Sequence, residues 1–388
     1  MKIADFVRLN PLSSLCRKAN VFIGTFSPQC SIPIYKNEIT VTHAILVETP
    51  KEDSAPPAKV VDHGVIRGIY VGASNNILEV LQLVTKFECN AVVIDVKNEF
   101  GEITCHLNLP SGYKENIRIV NIKELLKILR QKGIYTIARL VAFRDDHAVR
   151  AFPELAVKNK DGSVLCDKEK ASWLNPYNKK TWDYVIKVAK AAAEIGFDEI
   201  QFDYVRFSPY KNPNVDFGPI SKTVSRSEII NQFIDFAVQE LRPLGVKISI
   251  DVFGCIIPET LREDTIVSSY RLGQDWNHIV ETVDCICPMV YPSHWPPKSL
   301  GIKYPDCSPG EIVKKVMKYA VSAVKRNPKA RASIRPWLQA FTASWLPKES
   351  SQRYKFQQIK EQIQASSEAG VKQWTFWNPA ANYKPFND

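Results

Sequence analysis

The chain has 388 residues, enough for one large barrel with an extension or for two ordinary domains. Apolar content of 45% and charged content of 24% are those of a globular protein, and no run approaches the roughly 18 apolar residues that a membrane-spanning helix needs. The formal charge of +10 would suit an acidic polymer, but Lys and Arg are scattered, without the dense basic block or aromatic-basic signature that nucleic-acid binding calls for.

In chain order, "MKIADFVRLN" lacks a basic region followed by a sustained apolar one, so no ordinary signal peptide is legible. The stretch 47–64, "VETPKEDSAPPAKVVDHG", is rich in Pro and charge and is expected to be a linker. Residues 1–61 are therefore expected to form an extension and linker, and 62–388 the folded domain. From residue 65 short β-branched runs alternate with amphipathic stretches, the order of parallel β/α units. Strands are predicted at 65–72, 90–98, 134–142, 199–207, 246–254, 284–291, 332–341 and 371–379. Helices are predicted around 76–88, 121–132, 179–195, 225–242, 275–282, 310–326 and 351–369, with Gly133, Gly196, Gly245 and Gly370 placed as C-terminal caps. Eight such units predict an α/β fold of the (β/α)8 TIM-barrel class with enlarged loops. A doubly wound sheet is the competitor; it would normally carry a Gly-rich phosphate turn after its first strand, and "YVGASNN" is not one.

In a (β/α)8 barrel chemistry sits where strands end. The polar residues at these ends are Asp95, Lys97 and Glu99 on the second strand, Arg139 on the third, Asp203 and Arg206 on the fourth, and Asp251 on the fifth. Tyr291, His294 and Trp295 follow the sixth strand, Arg335, Trp337 and Gln339 lie on the seventh, and Trp377 and Asn378 on the eighth. A period of two puts Gln201 with Asp203, Ser249 with Asp251, and Asp95 with Lys97 on common faces. In "EIQFDYVRF" the carboxylate that ends an apolar strand then faces a pocket, although a structural pairing of Asp203 with Arg206 or Arg139 would also account for it.

Two carboxylates on adjacent strands, ringed by Trp and Tyr, are what glycosidic cleavage requires: one protonates the leaving oxygen while the other attacks or activates water. Aromatic rings stack on the apolar face of a pyranose, and Arg, Asn and Gln satisfy its hydroxyls. Asp275 in "GQDW" is expected to cap a helix rather than act as an acid. The six histidines form no His-x-His or His-Glu-x-x-His arrangement and no Gly-x-Ser-x-Gly follows a strand, so the expectation is acid–base chemistry by carboxylates with no metal and no cofactor. The nine cysteines include no Cys-x-x-Cys pair and are expected to be buried free thiols, a usage that leans towards a reducing compartment.

The segments "IDVKNEFGE", "WLNPYNKKTWDYVIKVAKAAAEIGFDEIQFDYVRF", "SIDVFG", "LGQDW", "CPMVYPSHW", "IRPWLQAF" and "WNPAANY" closely resemble the family named "putative glycoside hydrolase domain", over roughly residues 62–385. The resemblance implies a glycosidase-like barrel, distantly similar to α-amylase and α-galactosidase types that carry an aspartate nucleophile at the end of the fourth strand. By that matching position Asp203 is the expected nucleophile or base, and Asp251 the expected acid, with Glu259 in the following loop as its rival. The expected partner is a poly- or oligosaccharide, and the alternative is a barrel that binds carbohydrate without cleaving it. The resemblance also implies a place at the cell envelope or outside the cell, whereas the missing signal leaves the cytoplasm open.

Overall fold

The computed structural model describes residues 64–386 apart from 75, 210, 211 and 261–269; the expected extension and most of the linker lie outside the described residues. Eight parallel strands form the barrel: β1 Arg67–Gly72, β2 Ala91–Lys97, β3 Tyr135–Val141, β4 Glu199–Asp203, β5 Lys247–Phe253, β6 Cys285–Met289, β7 Trp337–Gln339 and β8 Trp374–Trp377. Neighbours run in chain order, and β8 and β2 both pair with β1, which closes the ring. The (β/α)8 class expected from the alternation is the one observed.

Among the described residues seven longer helices pack outside: α1 Ile77–Lys86, α2 Ile122–Gln131, α3 Lys179–Glu194, α4 Arg226–Leu241, α5 Trp276–Thr282, α6 Pro309–Arg326 and α7 Phe356–Glu368. Their ends follow from local chemistry. The hydroxyl of Ser225 accepts from the Glu228 N–H while the Glu228 carboxylate accepts from the Ser225 N–H, a capping box at the start of α4. Asp275 accepts from the N–H groups of Asn277 and His278 and so caps α5. Gly196, at φ 106°, takes a conformation that a side chain would disfavour and turns the chain from α3 into β4. Among the described residues no helix is long and apolar enough to cross a membrane.

The apolar residues divide into two cores. Val92, Ile94 and Val96 of β2, with Ile200 and Phe202 of β4, pack outward against the helices, while Ala91, Val93, Tyr135, Ile137, Cys285 and Cys287 fill the barrel itself. The inward face becomes polar on β4 and β5, where Glu199, Gln201, Asp203, Ser249 and Asp251 are all buried. Those side chains build the floor and the mouth of the site. After β2 the chain adds an antiparallel piece, Glu102–Cys105, and the loop from β3 to α3 carries a short helix, Asp146–Ala151.

Candidate active site

Register sets the geometry. Asp95 of β2 stands beside Arg139 of β3, Val141 of β3 beside Asp203 of β4, and Phe202 and Ile250 are paired, so the next positions on β4 and β5 are Asp203 and Asp251. Neighbouring strands lie about 4.8 Å apart, which makes the two aspartates lateral neighbours at the mouth.

Arg139 organises one half. Its Nη2 and Nε donate to Asp203 Oδ2 at 2.6 and 3.2 Å, and its Nη1 donates to Asp95 Oδ1 at 2.7 Å. Tyr70 at the end of β1 donates to Asp95 Oδ2 at 2.5 Å. The guanidinium lies 5.2 Å from the Trp377 ring centroid and 6.0 Å from that of Tyr70, so the cation is held by two carboxylates and two aromatic faces. Asp203 Oδ1 accepts from the N–H of Tyr204, whose φ of 55° turns that donor back onto the carboxylate. A left-handed tyrosine is strained, and here the strain orients a candidate catalytic group.

Asp251 is in a different state. Its Oδ1 accepts from the indole N–H of Trp337 at 2.7 Å, and its Oδ2 is buried without a partner among the described residues. Burial first, then the negative charge of Asp203, raise its pKa well above the carboxylate range; the Trp337 hydrogen bond and the charges of Arg139 and Arg335 oppose this and do not win. Asp251 therefore carries a proton under conditions in which an exposed aspartate has lost it. The Tyr291 hydroxyl is within electrostatic reach of both aspartates, and burial keeps it protonated. Glu99 sits in the loop after β2, where burial raises its pKa and Arg139 partly offsets that.

The match to known proteins covers this same frame. Residues 66–383 match the family described as "Putative glycosyl hydrolase domain". The chain belongs to this family. No curated protein matches it. Among solved structures, the chain is similar to a hypothetical protein from Ruminiclostridium thermocellum ATCC 27405, at 35% identity over 47% of this chain and 97% of that one, with a TM-score of 0.43. It is also similar to the spore cortex-lytic enzyme SleL of Bacillus megaterium QM B1551, at 15% identity over 82% and 71% of the two chains and a TM-score of 0.47. A chitinase from Chromobacterium violaceum ATCC 12472 matches at 11% identity over 83% and 96%, again with a TM-score of 0.47.

The barrel mouth brings Asp95, Arg139, Asp203, Asp251, Tyr291 and Trp377 together, with Glu99 in electrostatic reach of Arg139 and Asp95. Several other predicted site residues are committed elsewhere. A bulge between Asp95 and Lys97 breaks the alternation and sends Lys97 to the outer side, where its Nζ meets Asp145 Oδ2 at 2.8 Å, donates to the Val141 carbonyl at 2.7 Å and faces the Tyr184 ring on α3. Arg335 lies deeper than the mouth, paired with Glu199 at the start of β4 and reaching Ser249 and Cys287. Gln339 accepts from the Ser293 N–H and donates to Asp306 and the Phe341 carbonyl, so it ties the loop after β6 to the barrel. Asn378 donates to the carbonyls of Ala340 and Asn382 and accepts from Ala380 N–H, closing its own loop.

Trp337 is almost wholly buried and acts on Asp251 rather than offering a face to a sugar. His294, pushed down to about 4 by burial, packs against Tyr291, Phe341 and Trp345 and is uncharged at neutral pH. Trp295 packs on Gly254 just beyond β5. Arg206 sits beyond β4 among three aromatic rings, at the edge of the mouth. Glu259, the rival acid, is exposed and pairs with Arg326. Tyr70 and Tyr204 were not singled out from the sequence; an inward tyrosine at the end of the first strand was the signal available for Tyr70.

One stability prediction follows from Asp251. Below an ordinary carboxylate pKa of about 4, the folded and unfolded chains both keep this proton. As pH rises the unfolded chain ionises while the fold resists, so folding stability is lost from there up to the native pKa. Asp251→Asn keeps the acceptor for Trp337 and cannot ionise. The variant is expected to melt above wild type at pH 7, by on the order of 2 °C per kcal/mol relieved, and level with it near pH 3, as read by calorimetry.

Proposed function

We propose that the domain hydrolyses glycosidic bonds in a polysaccharide, with Asp251 as the general acid and Asp203 as the nucleophile or base. One observation carries this reading: two carboxylates are neighbours on adjacent strands, and one of them is driven neutral by burial and by the charge of the other. With Oδ1 engaged by Trp337, the Asp251 proton belongs on Oδ2, for which the protein supplies no acceptor among the described residues. That proton passes to the glycosidic oxygen as the C–O bond breaks. The lateral spacing of adjacent strands favours the short carboxylate separation of about 5–5.5 Å that goes with retention, so Asp203 attacks the anomeric carbon to form a glycosyl ester. Water then displaces the sugar from the ester, giving up its proton to the Asp251 carboxylate. Arg139 holds Asp203 in place, and Trp377 and Tyr291 line the approach.

The alternative is a barrel that binds carbohydrate without cleaving it. The observation in its favour is the near-complete burial of both carboxylates, with Asp203 engaged by Arg139 and its own backbone. The test is release of reducing ends from a polysaccharide panel that includes peptidoglycan strands and acidic polymers, with the anomer of the first product read by NMR. Wild type is expected to hydrolyse at least one member with retention. Binding without release, equal for wild type, Asp203→Asn and Asp251→Asn, would favour the non-catalytic barrel.

A further inference from the structure

A cavity of about 790 Å³ lies between the loop after β3 and the loop after β4; neither aspartate lines it, and Arg206, which feels the charge of Asp203, connects it to the mouth. Its wall carries Trp173, Phe207 and Phe217, and its charged members are Arg206, Arg226, Arg271, Lys168 and one carboxylate, Asp167, whose Oδ2 accepts from the Trp173 indole N–H.

Arg206 is the informative member. Its guanidinium is buried against the rings of Tyr204, Phe253 and Trp173, with centroid distances of 4.5, 4.8 and 5.1 Å. Its Nη1 donates to the Phe207 carbonyl at 3.1 Å, whereas its Nε has no partner and no carboxylate forms an ion pair with it among the described residues. Arg226 is half-buried, stacked on Phe207 and Phe217 at 5.0 Å from each, and among the described residues its Nη1 donates to the Arg271 carbonyl. Ser208 Oγ is also buried and has no partner among the described residues. Cations taken out of water normally meet a counter-charge, because the desolvation cost is otherwise uncompensated. Here two guanidiniums and a hydroxyl share one wall; Asp203 and Glu169 act on Arg206 from a distance and Asp167 also lines the cavity, but among the described residues the direct contacts of Arg206 and Arg226 are carbonyls and ring faces, with no ion-paired carboxylate.

We propose that this cavity is a subsite for a carboxylate-bearing sugar unit adjoining the scissile bond, with the carboxylate received by Arg206 and Ser208 and the ring faces lying against the sugar. The position suits that role: Arg206 is three residues beyond Asp203 and stacks on Phe253, two residues beyond Asp251, so a chain crossing the mouth reaches the cavity with its next unit. The proposal rests on the glycosidase reading, so it is tested by binding rather than turnover; a protein that binds acidic sugars and hydrolyses nothing refutes the hydrolase reading alone.

The probes are two matched pairs, N-acetylmuramate with N-acetylglucosamine and methyl glucuronide with methyl glucoside, titrated calorimetrically into wild type, Arg206→Gln and Ser208→Ala. At least one acid is expected to bind wild type about tenfold or more tighter than its neutral twin, as a charge-assisted hydrogen bond in a buried site predicts. Arg206→Gln should narrow that gap to about twofold, and Ser208→Ala, which tests the same wall should Arg206→Gln not fold, should reduce it severalfold. Equal binding of acid and neutral twin by wild type in both pairs overturns the proposal. So does a gap that survives these substitutions.

Discussion

Asp203→Asn is expected to lose about four orders of magnitude or more in kcat while remaining folded, because the substitution removes the nucleophile's charge and keeps its shape. Arg139 retains Asp95 as an ion-pair partner, and the Tyr204 N–H retains an oxygen to donate to, so the mouth has little reason to collapse. A second effect separates chemistry from scaffolding. The charge of Asp203 is one of the causes that raise Asp251, so in Asp203→Asn the Asp251 carboxyl should titrate lower than in wild type. With Asp203→Gly, azide should restore turnover and give a glycosyl azide of inverted anomeric configuration, as a small anion attacking from the vacated side would. A variant that keeps wild-type kcat would make Asp203 a structural partner of Arg139.

Arg335→Met is expected to act on stability instead. Arg335 and Glu199 form an ion pair inside the barrel with both side chains almost wholly buried, and Tyr135 also donates to that glutamate at 3.1 Å. Removing one member of a buried pair strands the other and costs about 3–5 kcal/mol. In a chain of this size that lowers Tm by on the order of 10 °C. Glu199→Gln in the same chain should recover part of the loss by removing the stranded charge. Activity per folded molecule should hold at neutral pH, since Arg335 lies a layer below the reacting groups, while loss of its charge should move the Asp251 carboxyl higher still. A raised KM with an unchanged Tm would return Arg335 to the substrate-binding role that its place near a strand end first suggested.

The reassignment of Arg335 shows where sequence patterning stops being informative. Alternation and chain order were enough for eight strands, for the inward face of β4 and for Asp203 beside Asp251, because period and register are local consequences of the pleat. They failed where the pleat is interrupted. The bulge after Asp95 moves Lys97 from the mouth to an ion pair with Asp145. On the seventh strand Arg335 and Pro336 separate Ser333–Ile334 from Trp337–Gln339, and the missing proline N–H breaks the ladder there, so Arg335 belongs to the floor. Gln339 and Asn378 illustrate a different limit: an amide at a strand end satisfies loop backbone as readily as it satisfies a sugar hydroxyl, and composition cannot separate the two. The state of Asp251 depends on burial and on the distance to another charge, neither of which a linear pattern contains.

Whether Asp251 is the general acid is decided by the pH dependence of kcat/KM for wild type and Asp251→Asn on the polysaccharide that the panel selects. The wild-type profile is expected to have an alkaline limb above the ordinary carboxylate range, and the variant to be slower by about 10²–10⁴-fold with that limb gone. Turnover by Asp251→Asn at the wild-type rate, with the same alkaline limb, would contradict that role.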